Sequence, residues 1–188
     1  MAKLPSLPEG AHLSELFALF PHSKDSLMAF TEAVMRAEGD LDIATREMIA
    51  AYVSGLNRCT FCHGSHAIYA RAFGIGEDVL AALLDDADSA PVGDDLKVLL
   101  SYLKKLNTLP ARIRQADIDA VLAAGWSERA LFEAVQIAGM FNMMNRIVEG
   151  TGVSFDYGRD ESVHPARQPG VRAQDLSYVK TPMGKPRR

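Results

Sequence analysis

Cys59 and Cys62 are the chain's only cysteines, and they stand together as Cys59-Thr60-Phe61-Cys62. His66 follows the second cysteine by four residues, and Glu47 precedes the first by twelve. A thiol in redox chemistry needs a second thiol to close a disulfide, a base to take its proton and often a carboxylate to orient that base. Residues 47–66 supply all of these. If Cys59 opens a helix, a turn of about 100° per residue puts Cys62 at about −60° and His66 at about −20°, on one face. His66 is then i+4 from Cys62, the spacing at which helical side chains touch. Its imidazole titrates near neutrality and suits a thiol proton. Cys59 falls at the helix N-terminus, where free N–H groups and the dipole favour a thiolate. Glu47 sits on the preceding helix, within reach of His66 if the two helices run antiparallel. The pattern points to dithiol/disulfide redox chemistry.

Zinc is the chemical rival, because His63 joins Cys59, Cys62 and His66 within the same arc. Four ligands on one helical face do not surround a tetrahedral ion. No further cysteine completes a set, and His12, His22 and His164 lie in weakly constrained segments, so no metal is expected. A thioredoxin fold is disfavoured, since its CxxC follows a strand in a βαβ unit and no strand pattern is visible.

The elements that must position these residues are helices. Apolar residues recur at helical spacing almost throughout. Leu13, Leu16, Phe17 and Phe20 share a face. Leu27 to Met35 form a second helix, which Gly39 is expected to close, and Asp42 N-caps a third that reaches Gly55. Asn57-Arg58 reads as a break, and the fourth helix runs from Cys59 to near Gly74. A short helix around Leu80, a loop over 85–94 and a Leu96–Leu106 stripe stopped by Pro110 follow. Ile118 to Leu122 make a seventh helix, and Ser127 caps a long eighth that ends before Gly152. The expected class is all-α, with the CxxC at a helix N-terminus.

At 188 residues and 48% hydrophobic, the chain is long enough to bury a core. Its net charge of −4 gives no electrostatic case for nucleic acid or an anionic membrane. No apolar run is long enough to span a bilayer. The N-terminal residues lack a signal-peptide stretch, so a cytoplasmic location is expected, where a CxxC is catalytic, redox-sensing or metal-binding rather than a structural staple. Composition changes near Asp156. Residues 156–188 carry seven Lys/Arg against four Asp/Glu, net +3, which leaves −7 on residues 1–155. The expected division is a helical domain over 1–155 and an irregular tail over 156–188. The tail reads either as a disordered end or as an arm on an oppositely charged neighbouring subunit, with Leu176, Tyr178 and Val179 as anchors.

Glu47, Asn57-Arg58-Cys59-Thr60-Phe61-Cys62 and His66 together resemble the alkylhydroperoxidase D-like group of the carboxymuconolactone decarboxylase superfamily. The segment Asn142-Met143-Met144-Asn145-Arg146 looks like that of its peroxidase-related members. The specific motif covers about residues 44–70, and the helical layout extends the resemblance to about residue 155. The resemblance implies a thiol-dependent hydroperoxide reductase in which Cys62 attacks the peroxide, His66 and Glu47 relay its proton and Cys59 resolves the sulfenate to a disulfide. It implies a lipoyl group or another dithiol as reductant, a homo-oligomer (trimer or hexamer) and no cofactor. One departure stands out. Well-studied members carry a histidine just before the second cysteine, where this chain has Phe61, with His63 on the other side. The decarboxylase branch generally lacks the CxxC, so decarboxylation is not implied. Two other readings stay open: a disulfide reductase or relay serving a partner peroxidase, and a non-enzymatic redox sensor or binding module.

Overall fold

The computed structural model describes residues 3–181. Among them the apolar periodicity becomes eight α-helices and no strand: α1 Leu13–Leu19, α2 Lys24–Arg36, α3 Ile43–Leu56, α4 Thr60–Ala72, α5 Val79–Asp85, α6 Asp94–Asn107, α7 Gln115–Ala123 and α8 Glu128–Thr151. Helix α3 is the axis. Every residue from Arg46 to Ser54 is buried, so the helix is covered all round, by α4 and α8 above all. Its start follows the expected capping chemistry, with Asp42 Oδ1 accepting from the Thr45 N–H at 2.7 Å. No helix of the described residues is long and apolar enough to cross a membrane.

The turn between α3 and α4 presents the CxxC. Arg58 takes a left-handed conformation (φ 57°), and the Cys59 N–H donates to Ser54 O at 2.9 Å. The chain thereby reverses within Asn57–Cys59, and α4 lies back along α3 as an αα-hairpin. Cys59 becomes the N-cap of α4, with Cys62 in the helix's first turn.

The end of α2 departs from expectation. The helix stops at Arg36 with Ala37 as its cap, not at Gly39. The cause is Arg46, a buried arginine on α3. Its Nη1 donates to Val34 O at 3.0 Å and Ala37 O at 2.8 Å, and its Nε donates to Leu41 O at 2.9 Å. A cation thus satisfies the carbonyls at a helix C-terminus, where the dipole favours it. Glu133 of α8 pairs with the same guanidinium at 3.3 Å and accepts from the Leu41 N–H at 2.9 Å. A Cβ on Gly39 would collide with both Arg46 and Glu133, so this glycine serves close approach rather than helix termination.

Residues 156–181 lie back on their own chain, and residues 182–188 of the expected tail fall outside the described residues. The N–H groups of Ser154 and Phe155 donate to Ala11 O. Tyr157 packs across Gly64 of α4, where a Cβ would meet the Tyr157 Cβ at 3.2 Å. Val163, His164 and Leu176 are buried. The Tyr178 N–H donates to Glu32 Oε2 at 2.6 Å, and Arg36 Nε donates to Leu176 O at 3.1 Å.

Replacing Arg46 tests the α2–α3–α8 junction. Arg46→Ala leaves Glu133 with only the more exposed Arg129 as ionic partner and leaves three carbonyls without that donor. It should lower unfolding free energy by about 3–5 kcal/mol, read by urea denaturation, with native helicity retained in water. A loss well under this would show that the guanidinium is not what holds the junction.

Candidate active site

The α3–α4 hairpin brings Glu47 and His66 together. His66 Nδ1 lies 2.6 Å from Glu47 Oε2, and the Glu47 side chain is fully enclosed. Burial works against the Glu47 carboxylate, but His66, Arg36 and the Tyr178 hydroxyl outweigh it and hold its pKa below the ordinary value. An ionised carboxylate can only accept, so His66 Nδ1 carries the hydrogen and donates. In the neutral ring that leaves the Nε2 lone pair as the basic site.

Two further groups share the carboxylate. Arg36 Nη2 sits 2.6 Å from Glu47 Oε1, and the Tyr178 hydroxyl donates to the same oxygen at 2.8 Å. The guanidinium also lies over the Tyr178 ring, 4.7 Å from its centroid. Burial opposes the Arg36 charge, but Tyr178, Glu47 and Tyr69 more than compensate, so Arg36 stays ionised. Burial, and then Glu47, push the Tyr178 phenol well above its usual range, so it remains a donor. Neither residue belongs to the motif. Tyr178 was legible only as an apolar anchor for a neighbouring subunit; in the structure it anchors on its own chain. A lone arginine near a helix end carried no signal of a buried partner 11 residues later.

Both cysteines are buried and free. Their thiols hydrogen-bond to each other. The Cys62 S–H and, after burial, the Cys62 N–H face the Cys59 sulfur, and together they hold the Cys59 thiol below its usual range. Cys62 is pushed well above it, by the Cys59 hydrogen bond first and by burial second. Asn145 opposes that rise with a hydrogen bond of its own. It sits inside the segment that carried the family resemblance, and it is fixed there by Asn57 Nδ2 at 2.8 Å and Ser54 Oγ at 3.1 Å.

Cys62 and His66 face a common cavity of about 80 Å³, walled by Phe61, Phe141, Tyr157 and Tyr178 among others. Cys59 is fully enclosed and does not line it. Phe61, where the resemblance led us to expect histidine, is part of the apolar wall and packs edge-on against His12 at 5.2 Å. His63 turns away, with Nδ1 2.9 Å from Ala51 O. Among the described residues no group of three His, Cys, Asp or Glu side chains is placed to hold a metal. His12 and His164 do not lie in loose segments as the sequence suggested: both are buried, with His12 on Tyr157 (2.6 Å) and His164 on Ser65 (3.1 Å).

Comparison with known proteins places this geometry. The model of the carboxymuconolactone decarboxylase family matches residues 21–105. No curated protein matches the chain by sequence. An uncharacterised peroxidase-related protein with an alkylhydroperoxidase AhpD core, from Ralstonia eutropha JMP134, superposes with a TM-score of 0.72 at 22% identity, over 82% of this chain and 80% of that one. A peroxidase-related protein from Silicibacter sp. TM1040 gives 0.66 at 24% identity, over 80% and 90%. A debrominase solved in complex with 2,3,4-tribromopyrrole gives 0.59 at 14% identity, over 68% and 67%. With residues 21–105 similar to the carboxymuconolactone decarboxylase family model and its helices arranged as in the alkylhydroperoxidase D-like structures, the chain has the alkylhydroperoxidase D-like all-α fold.

Proposed function

We propose that the protein is a thiol-dependent hydroperoxide reductase that cycles through a Cys59–Cys62 disulfide. The observation that carries the reading is the buried Glu47–His66 pair, with His66 one helical turn from Cys62 and both of these lining an apolar cavity. A peroxide in that cavity meets the Cys62 sulfur and not Cys59. Because Cys62 resists ionisation, its attack needs a base at the moment of reaction, and His66 Nε2 is the available one. The thiol proton passes to His66, sulfur takes the proximal oxygen, the O–O bond breaks, and the proton ends on the departing alcohol. Cys59, the more easily ionised thiol of the pair, then attacks the sulfenic sulfur and water leaves. A dithiol such as a lipoyl group returns the disulfide to two thiols and is itself oxidised to its disulfide.

The cavity's size supports a small substrate. At about 80 Å³ it is well below the ~150 Å³ apolar cavity that takes up benzene. A peroxide or a lipoyl arm is narrower than a partner protein's disulfide, which would have to reach a thiol buried in the wall of that cavity, so a small peroxide is favoured. We also propose self-association. The α8 face leaves Phe132 60% and Met143 41% exposed, and Leu109 is 76% exposed; light scattering across concentrations should find an oligomer, and a monomer at high concentration would remove this claim.

The cysteine roles are separable. Cys62→Ser should lose peroxide consumption, and Cys59→Ser should leave a sulfenate on Cys62 that dimedone traps. Because Cys59 raises the Cys62 pKa, Cys59→Ser should also move the pH midpoint of Cys62 alkylation down. A live Cys62→Ser enzyme beside a dead Cys59→Ser enzyme would reverse the assignment.

For the relay, His66→Ala should slow Cys62 oxidation by about 10²–10⁴-fold. Tyr178→Phe removes one of the carboxylate's donors and keeps the ring, so it should slow the same step by a smaller factor. The double variant should be no slower than His66→Ala, since Tyr178 acts through Glu47 on His66. Stopped-flow rates that multiply would place Tyr178 outside the relay.

A further inference from the structure

The cavity wall beside Cys62 holds a second polar cluster that the thiol relay does not use. His12 Nδ1 accepts from the Ser14 N–H at 3.1 Å, and its Nε2 lies 2.6 Å from the Tyr157 hydroxyl. His164 Nδ1 accepts from the Ala166 N–H at 3.1 Å, and its Nε2 lies 3.1 Å from Ser65 Oγ. Burial raises the Tyr157 phenol, and Ser65 offsets part of that rise by acting as a hydrogen-bond donor to it. Burial pushes the His12 pKa down to about 4, partly offset by Glu15, and burial together with His66 pushes His164 down to about 3, so both rings are neutral. A neutral ring whose Nδ1 accepts must carry its hydrogen on Nε2. Both imidazoles therefore donate, one to Tyr157 and one to Ser65.

These four side chains carry four polar hydrogens, two on imidazoles and two on hydroxyls. The imidazole hydrogens go to Tyr157 and Ser65, and the Ser65 hydroxyl acts on Tyr157 as a donor. The Ser14 hydroxyl, 2.8 Å from His12 Nδ1, brings its own hydrogen to that nitrogen and leaves the tally unchanged. One hydroxyl hydrogen makes no hydrogen bond among the described residues, and both Ser65 and Tyr157 line the cavity that holds Cys62. An unpaired hydroxyl donor in an apolar cavity is costly unless an incoming atom accepts from it.

We infer that the Ser65–Tyr157 hydroxyl pair donates a hydrogen bond to the oxygen that leaves when Cys62 attacks, making it a catalytic pair beyond the thiols and their base. The inference rests on the peroxide reading above. As the Cys62 S–O bond forms and the peroxide O–O bond breaks, sulfur loses two electrons and the distal oxygen departs as an alkoxide. The pair stabilises that charge in place until the proton released by the thiol reaches it, and it ends the step with its own hydrogens unchanged. Donors preorganised toward a developing oxyanion act in this way.

The test compares the full-length wild type, Ser65→Ala, Tyr157→Phe and the double variant by stopped-flow oxidation of Cys62. The oxidants are ethyl hydroperoxide, whose alkoxide is a poor leaving group, and peracetic acid, of similar size, whose carboxylate is a good one. Iodoacetamide alkylation reports on the thiol alone. The double variant should lose about 10²–10³-fold with ethyl hydroperoxide, lose far less with peracetic acid and alkylate at the wild-type rate. Each single variant keeps one hydroxyl able to donate, so the double loss should exceed the product of the single losses. A double variant that oxidises like wild type, or that loses equally with both oxidants and with iodoacetamide, overturns the inference. If the double variant does not fold by circular dichroism, the singles decide, and losses without dependence on the leaving group overturn it. Failure of the peroxide reading would look different: wild-type Cys62 would alkylate normally yet form no sulfenate with either oxidant.

Discussion

A carboxylate with no contact to water sits at the centre of this protein. Isolated, Glu47 would be strongly disfavoured as an anion. It persists because three partners reach it from three parts of the chain: Arg36 from α2, His66 from α4 and Tyr178 from the C-terminal segment. Removing any one leaves a buried charge less compensated, and the cost of that is large compared with the pair's own net contribution. The carboxylate therefore links the packing of α2, the α3–α4 hairpin and the tail to the chemistry of one thiol.

Much of the surrounding architecture can be understood as holding that arrangement. Arg46 ends α2 one residue past Arg36 and ties it to α3 and α8, which fixes the height at which Arg36 meets Glu47. The left-handed Arg58 reverses the chain so that α4 lies along α3 and His66 comes level with Glu47. Tyr157, His164 and Leu176 bind the C-terminal segment across α4 and α2, and Tyr178 arrives over the cavity. The same segment also lines the apolar space around Cys62, so the third partner of Glu47 and part of that wall come from one stretch of chain.

The two thiols differ in environment, and the proposed reaction divides their work accordingly. Cys59 is held below its usual range by the Cys62 thiol and then the Cys62 N–H, but has no opening to the cavity. Cys62 lines the cavity with His66 one turn away, and Cys59 and burial hold it above its usual range. An exposed low-pKa thiol reacts with many oxidants. A buried, base-dependent one reacts with what its cavity admits.

Several features were decided by the local sequence. The helix boundaries follow from apolar spacing and from caps such as Asp42 and Ser127, because those signals act within a few residues. The common face of Cys62 and His66 follows from helical geometry alone, and Glu47 was reachable because the α3–α4 turn is short. What the sequence could not carry was anything set by contacts far apart in the chain. Gly39 looked like a helix stop, and the true stop is a guanidinium from the next helix. His12 and His164 looked unconstrained because the partner that each Nε2 meets lies about a hundred residues or more away, whereas only Nδ1 is held by an N–H two residues on. Tyr178 read as an anchor for another subunit, because apolar character is visible in a sequence whereas the surface it meets is not. Periodicity and capping are local energies and can be read from composition and spacing. Burial of a charge and its partners is a property of the whole packed chain, and only the tertiary structure decided it.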